Sequence, residues 1–344
     1  MSTKDTSLRW QLLAEKSGEV NLTEAPFDVV SIGLDIGGTK TLGLALARSG
    51  EILAQETRPT PQSSDKIVEC VVTLFHSLAD QLSNHKISAL GIGVAGLVDN
   101  EGQLHRAPNL ADADGLKLQR SIEPLIDVPV YVDNDANCAA RAELIRGAAR
   151  NVEQALLVTL GTGIGGAVIS DGTVVRGAEG MAGEPGHMLV DPNGPICACG
   201  MRGCWESYAS GTGLVNLATQ AISAGRLSAI VEELEGEVEK ITGEHVTSAA
   251  RKGDEEAIRV IDAYSWWVAV GLANCAALID PEIIILGGGL IKEWELLGPR
   301  VRTAFDQLLI GASQRATVRI EPAAAGELAG AVGAALLAAT EAIG

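Results

Sequence analysis

Apolar and polar positions alternate along this chain in two matching blocks. From Val29 the order is V-V-S-I-G-L-D-I, a turn at Gly37-Gly38-Thr39, K-T-L-G-L-A-L-A, a polar turn at Ser49-Gly50, and a third apolar run. Short apolar runs closed by glycine-rich turns predict strand, turn, strand, turn, strand. From Ala155 the same grammar returns as A-L-L-V-T-L, G-T-G, I-G-G-A-V-I-S, Asp171-Gly172 and T-V-V-R. Two such blocks about 120 residues apart predict an internal duplication, each block opening a domain.

Between and after the blocks the pattern changes period. Ile67, Val71, Leu74, Leu78 and Leu82 recur at helical spacing and predict a helix over 65–83. Residues 88–98 read as a buried strand and a glycine turn, Val128–Val132 as a short strand, and Asp135–Gly147 as a helix. Glu282–Leu286 predicts a strand that runs into Gly287-Gly288-Gly289, and Gly326–Ala342 an alanine-rich helix. Strands that alternate with helices predict a largely parallel sheet covered by helices, the α/β class. The longest apolar run, Trp266–Ile279, is too short to span a bilayer and contains Asn274, so it predicts a buried helix and no membrane partner. Residues 1–26 are polar and mixed in charge, without the pattern of an export signal. They read as a tail or a short docking helix around Leu8–Ala14, and the expected location is cytoplasmic.

Composition narrows the function. The chain has 344 residues, 47% apolar, with 3% aromatics and 40 glycines, which suits two α/β domains with tight turns. A net charge of −18 repels phosphate backbones and argues against a nucleic-acid partner. An anionic ligand must therefore be held by local backbone dipoles or a metal ion.

The segment Gly161-Thr162-Gly163-Ile164-Gly165-Gly166 satisfies G-x-G-x-x-G. That pattern marks a dinucleotide site only when a helix follows, because the helix N-terminus holds the pyrophosphate. Here strand-like A-V-I-S and T-V-V follow, which excludes a Rossmann reading. Glycine turns still bring backbone N–H groups close to an anion, and two matched turns could clamp a polyphosphate.

Residues 184–206 carry the densest chemistry. His187, Cys197, Cys199 and Cys204 place one imidazole and three thiols within eighteen positions, the set for a tetrahedral zinc site. Glycines at 194, 200 and 203 permit the tight turns, and Glu184 and Glu206 bracket the cluster. Cys70, Cys138 and Cys275 stand in apolar or helix-like contexts and read as packing residues. Farther back, V-Y-V-D-N-D-A-N puts Asp133, Asn134 and Asp135 past a strand end, where α/β proteins gather ligands. Asp135 reads either as a catalytic carboxylate or as the cap of the following helix, a role open also to Asp133 and Asn134.

Together D-I-G-G-T-K (35–40), V-D-N-D-A-N (132–137), L-G-T-G-I-G-G (160–166), E-P-G-H (184–187) and C-A-C-G-M-R-G-C-W-E (197–206) resemble the ROK family of bacterial sugar kinases and repressors, over about residues 28–343. The resemblance implies the two-lobed actin-like ATPase fold of the hexokinase, Hsp70 and actin superfamily, with a duplicated β-hairpin/βαβ core and an interlobe cleft. The expected divisions are a tail (1–27), an N-terminal lobe (28–140), a C-terminal lobe (141–325) and a helix (326–344) packing back on the first lobe. Asp135 matches the catalytic base for the sugar 6-hydroxyl. Gly96, Asn109, Asn134, Glu184, His187 and Glu206 match sugar-binding residues. Gly37, Gly38, Thr39, Lys40, Gly161, Thr162, Gly163 and Gly165 would face the ATP phosphates, with Gly287, Gly288 and Gly289 near the adenosine. Asp35 would hold Mg2+ through water, and His187, Cys197, Cys199 and Cys204 a structural Zn2+. The chain departs from the family at Asp133, where many members carry Glu, in A-D-A-D-G after Asn109, and at Pro185.

The resemblance points first to an ATP-dependent hexose 6-kinase, most like a glucokinase of carbohydrate metabolism and glycolysis, as a homodimer or homotetramer. An N-acetylmannosamine or N-acetylglucosamine kinase is the same-class alternative. A sugar-sensing repressor would need a DNA-reading module, for which the roughly 27 residues before the first strand are too few. A polyphosphate-using glucokinase would usually lack the zinc cysteines.

Overall fold

The computed structural model describes residues 29–110 and 112–342, so the expected tail and its docking helix lie outside the described residues. The chain divides into two compact units. The first holds the described residues through Asn151, Gly172–Ala182, and those from Ala324; the second holds Val152–Asp171 and Gly183–Ala323.

In the first unit β1 (Val29–Ile36) is the central strand. It pairs antiparallel with β2 (Lys40–Ala47), which pairs with β3 (Ile52–Pro59). The helix α1 (Ser64–Asp80) follows, then β4 (Lys86–Val94), the short pair β5 (Leu97–Val98) and β6 (Leu104–Arg106), and β7 (Val130–Asn134). β4 and β7 extend the sheet in parallel, giving the order β3-β2-β1-β4-β7. Helix α1 buries Ile67, Val71, Leu74, Phe75 and Leu78 in one core with Val30, Ile32, Leu34 and Ile36 of β1. The helix ends at Asp80, short of the expected 83, yet Leu82 remains buried.

The odd positions of β1 face the other way, because strand side chains alternate. Against that face lies the C-terminal helix, Ala329–Glu341. Its approach is backbone to backbone. A Cβ on Gly91 of β4 would collide with the Ala334 carbonyl oxygen. A Cβ on Gly333 would collide with the carbonyl oxygen of Cys138, in α2 (Asp135–Arg146). Helix α2 is continuous, so the first unit runs on to Asn151 and the division expected at 140 would cut through a formed helix.

The second sheet repeats the plan. β8 (Ala155–Leu160) pairs antiparallel with β9 (Ile164–Ser170), beyond which lies β10 (Thr173–Val174). β11 (Ile283–Gly287) and β12 (Arg319–Pro322) add in parallel, giving β10-β9-β8-β11-β12. In order of appearance both sheets read third, second, first, fourth, fifth, which is the duplication expected from the hairpin pattern. Helices α3 (Glu206–Ala209), α4 (Gly211–Ser223), α5 (Glu255–Ile279) and α6 (Trp294–Leu308) surround the second core. The run Trp266–Ile279 is the later half of α5 and is buried on one face only: Trp266 is 42% exposed and Leu278 80%. No helix among the described residues is long and apolar enough to cross a membrane. Cys138 and Cys275 are buried and Cys70 partly so; burial raises all three thiols, which suits inert packing.

Gly333→Ala should force the C-terminal helix off α2 and lower stability by about 1–3 kcal/mol. The urea unfolding midpoint reads this directly, and an unchanged midpoint would refute the close approach.

Candidate active site

The first unit gathers its polar residues at the carboxyl ends of its parallel strands. Asp35 of β1 is level with Gly93 of β4, and Gly93 with Asp133 of β7. Helix α2 begins immediately after β7, in the place where ligands of α/β sheets collect. Asn134 is its cap: Oδ1 accepts the N–H groups of Ala136 (2.8 Å) and Asn137 (3.2 Å). Its amide donates to the Gly96 carbonyl at 3.0 Å, which joins those two residues. Capping therefore does not fall to Asp135, whose Oδ1 accepts the Ala136 N–H at 2.9 Å. Burial raises the Asp135 carboxyl, with that N–H opposing. The Asp35 carboxyl is pushed up to about 7, first by burial and then by the charge of Asp135, while Lys40 opposes. A nearby cation would reverse the shift by favouring the carboxylate.

Asp133 is fully buried and fully used. Its Oδ1 accepts from the Asn134 N–H (2.8 Å) and the Asn137 amide (3.0 Å), and Oδ2 from Nη1 of Arg141 (2.7 Å). Nε of Arg176 stands 3.3 Å from Oδ1. Two guanidinium groups offset the cost of burying this charge and brace the backbone that presents Asn134 and Asp135. Sequence reading missed both arginines. Arg141 could have been found two turns into α2, whereas nothing local marks Arg176.

The turn between β1 and β2 is held from outside: Thr60 donates its N–H to Thr39 (3.0 Å) and its hydroxyl to the Gly37 carbonyl (2.7 Å). The Gly38 and Thr39 N–H groups have no partner among the described residues. Asn109 lies over this turn, and a Cβ on Gly38 would meet its carbonyl oxygen at 2.8 Å.

In the second unit the turn between β8 and β9 has the same character. Gly161 N–H donates to Gly163 O (3.0 Å), Gly165 N–H to the Thr159 hydroxyl (3.2 Å), and Ile164 N–H to Oε2 of Glu206 (2.8 Å). The N–H groups of Thr162 and Gly163 have no partner among the described residues. Gly288 has φ +85°, and a Cβ there would run into Leu160 O, which places Gly287–Gly289 against the end of β8. Successive unpartnered N–H groups in a turn form an anion cradle.

Glu184 leads into Pro185–His187, a short turn packed on β9. Pro185 presses on Gly166, which gives this departure from the family a packing role. The ligand atoms of His187, Cys197, Cys199 and Cys204 all lie within 4.8 Å of one another. His187 Nδ1 is 3.9 Å from Cys197 Sγ, and the Cys199 and Cys204 sulfurs are 3.6 Å apart. Those separations match the edges of a tetrahedron with metal–sulfur bonds of about 2.3 Å. With Nδ1 turned to the cluster, Nε2 of the exposed His187 ring is left for another partner. The loop is pinned by Trp205, which is fully buried, donates to Trp267 O at 2.7 Å and fills the space at Gly271. The expected site residues thus form two groups. Asp35, Gly37–Lys40, Gly96, Asn109, Asn134 and Asp135 lie in the first unit; Gly161–Gly165, Glu184, His187, the cysteines, Glu206 and Gly287–Gly289 lie in the second.

The ROK family model matches residues 31–341. A glucokinase of Streptomyces coelicolor is 36% identical over 312 residues, 90% of this chain and 97% of that protein. An N-acetylmannosamine kinase of Escherichia coli is 30% identical, over 76% of this chain and 84% of that one. Among solved structures, a ROK family glucokinase from Streptomyces griseus in complex with glucose and AMPPNP is 38% identical, covers 90% of this chain and 99% of that one, and superposes with a TM-score of 0.76.

Arg141→Met should leave Asp133 short of a partner and cost about 3–5 kcal/mol. Much of that loss should disappear when Asp133→Asn is added. Strictly additive unfolding free energies in this double-mutant cycle would show that the pair is not coupled.

Proposed function

The chain belongs to the ROK family, and on that premise we propose that it transfers the γ-phosphoryl group of ATP to the 6-hydroxyl of a hexose, glucose first. The glucokinase relatives support the substrate and the donor. The observation that carries the mechanism is Asp135: a carboxyl raised by burial, released from capping by Asn134, at the end of a strand beside a phosphate-type turn.

Asp135 takes the proton of the 6-hydroxyl as that oxygen attacks the γ-phosphorus; the bond to the β-phosphate oxygen breaks, and ADP leaves. Positioning and charge stabilisation supply most of the acceleration in such transfers. Asn134, Gly96 and Asn109 hold sugar hydroxyls, as do Glu184, Glu206 and His187 through Nε2. In the turns Gly37–Lys40 and Gly161–Gly165 the N–H groups of Gly38, Thr39, Thr162 and Gly163 take the phosphates, and Gly287–Gly289 adjoin the adenosine. Asp35 would hold Mg2+, which would supply charge neutralisation to the phosphates. His187, Cys197, Cys199 and Cys204 would hold zinc, which would supply the fixed shape of the loop. The same reading makes the protein a cytoplasmic enzyme of glycolysis acting as a homodimer or homotetramer.

A coupled ADP-release assay with Mg2+ across glucose, N-acetylmannosamine, N-acetylglucosamine, mannose and fructose tests the substrate. Turnover is expected on glucose; a preference for an acetamido sugar would move the protein to the amino-sugar kinases, and silence on every sugar would end the kinase reading. Asp135→Asn should fold, bind glucose, and lose about 10²- to 10⁴-fold in kcat. Because the base works only when deprotonated, kcat/KM should fall toward acid, with its limb above the ordinary carboxylate value of 3.8. Cys199→Ser should release zinc and lower the melting temperature, and a full zinc complement by elemental analysis would contradict the ligand set.

A further inference from the structure

The second phosphate turn is not held by its own hairpin alone. The segment Glu206–Thr212 begins two residues after Cys204 and grips the turn at three points. Oε2 of Glu206 accepts the Ile164 N–H at 2.8 Å. Gly211 N–H donates to Gly161 O at 2.7 Å, and the Thr212 hydroxyl to Thr162 O at 2.9 Å. The fit is tight, since a Cβ on Gly163 would collide with Oε2 of Glu206. The other oxygen of Glu206 lies 3.6 Å from Cys197 Sγ, in the Cys/His cluster. One carboxylate therefore touches both the metal-type cluster and the phosphate turn, and still has acceptor capacity for a sugar hydroxyl.

We propose that Glu206–Thr212 is the seat of the second phosphate turn, so that a metal ion held by His187, Cys197, Cys199 and Cys204 governs nucleotide binding as well as the sugar loop. The proposal rests on the kinase reading for the identity of the anion. Glu206 acts here as a positioning residue: it fixes the Ile164 N–H, while the Thr162 and Gly163 N–H groups have no partner among the described residues. Fixing the cysteines fixes the start of α3, and through it the three grips. Loss of the metal frees that start, and the turn loses its preformed shape.

The test uses the full chain without sugar, so that no turnover occurs. Amide exchange over 160–166 and calorimetric Mg-ADP affinity are measured on the zinc-loaded protein, on the chelator-treated protein, and on Glu206→Ala, Glu206→Gln and Thr212→Val. Chelation and Glu206→Ala should speed exchange at Ile164 and weaken ADP about tenfold, while Glu206→Gln, which keeps an acceptor, should restore most of both. Thr212→Val should retain its zinc, weaken ADP about threefold and leave glucose affinity unchanged. Thr212 is not in the ligand set, so this arm stands even where chelation or Glu206→Ala loosens the whole loop. Unchanged exchange and ADP affinity after zinc is removed would overturn the coupling. Faster exchange in a protein whose zinc-loaded form binds no ADP would overturn the link to nucleotide, and the kinase reading with it.

Discussion

A hairpin whose first strand is also the centre of a parallel array must turn at the carboxyl end of that array. This constraint organises both units. In the first, β1 pairs with β4 in parallel and with β2 antiparallel, so the turn Gly37–Thr39 emerges where β4 and β7 end. In the second, β8 stands in the same relation to β11 and β9, so Gly161–Gly163 emerges beside Gly287–Gly289. Backbone donors in the turns and side chains beyond the strand ends meet along one edge of each sheet without any long loop to carry them. The duplication thus repeats a chemical opportunity as well as a fold, and each unit uses it differently: carboxylates and amides in one, a Cys/His cluster in the other.

The hairpins were legible because their information is local, with runs of fixed period and turns of fixed chemistry. The same holds for α1, α2 and the cluster of cysteines. What could not be read is tertiary. Asp133 looked like one of three candidates for a cap, and only the fold shows Asn134 capping while Arg141 and Arg176 neutralise Asp133. Glu206 matches a sugar-holding residue of the family, and its bond to Ile164 belongs to a pairing that no spacing announces. The division expected at 140 failed for a related reason. Composition does not change within α2, and the chain leaves the first unit only once that helix and the turn after it are complete. The apolarity of Trp266–Ile279 rightly predicted a helix that is largely buried, and what it could not show is which residues, such as Trp266 and Leu278, point outward.

The loop that bears the cluster shows how a small element is made rigid from two sides. Trp205 anchors it in the second core, and Tyr208 stacks on Trp267 while donating to Asp191 at 2.7 Å. Gly203 at φ +72° lets the chain fold back until a Cβ would touch the Asp191 carbonyl. Aromatic burial holds the base of the loop, and the Cys/His cluster gathers at its tip.

The C-terminal helix has a consequence for the order in which this protein can be made. It covers the face of the first sheet that carries Gly33 and Gly91, yet in the chain it follows the whole of the second unit. A chain that grows from its N-terminus exposes β1, β4 and β7 long before the residues that cover them leave the ribosome. The earlier-synthesised unit is therefore the later one to reach its native packing, and its bare glycine-lined face must stay soluble while the second unit is translated. Beside the glycines that permit the backbone contact, that face carries Leu44 and Leu46 of β2, so the sheet presents apolar area to water until the helix arrives.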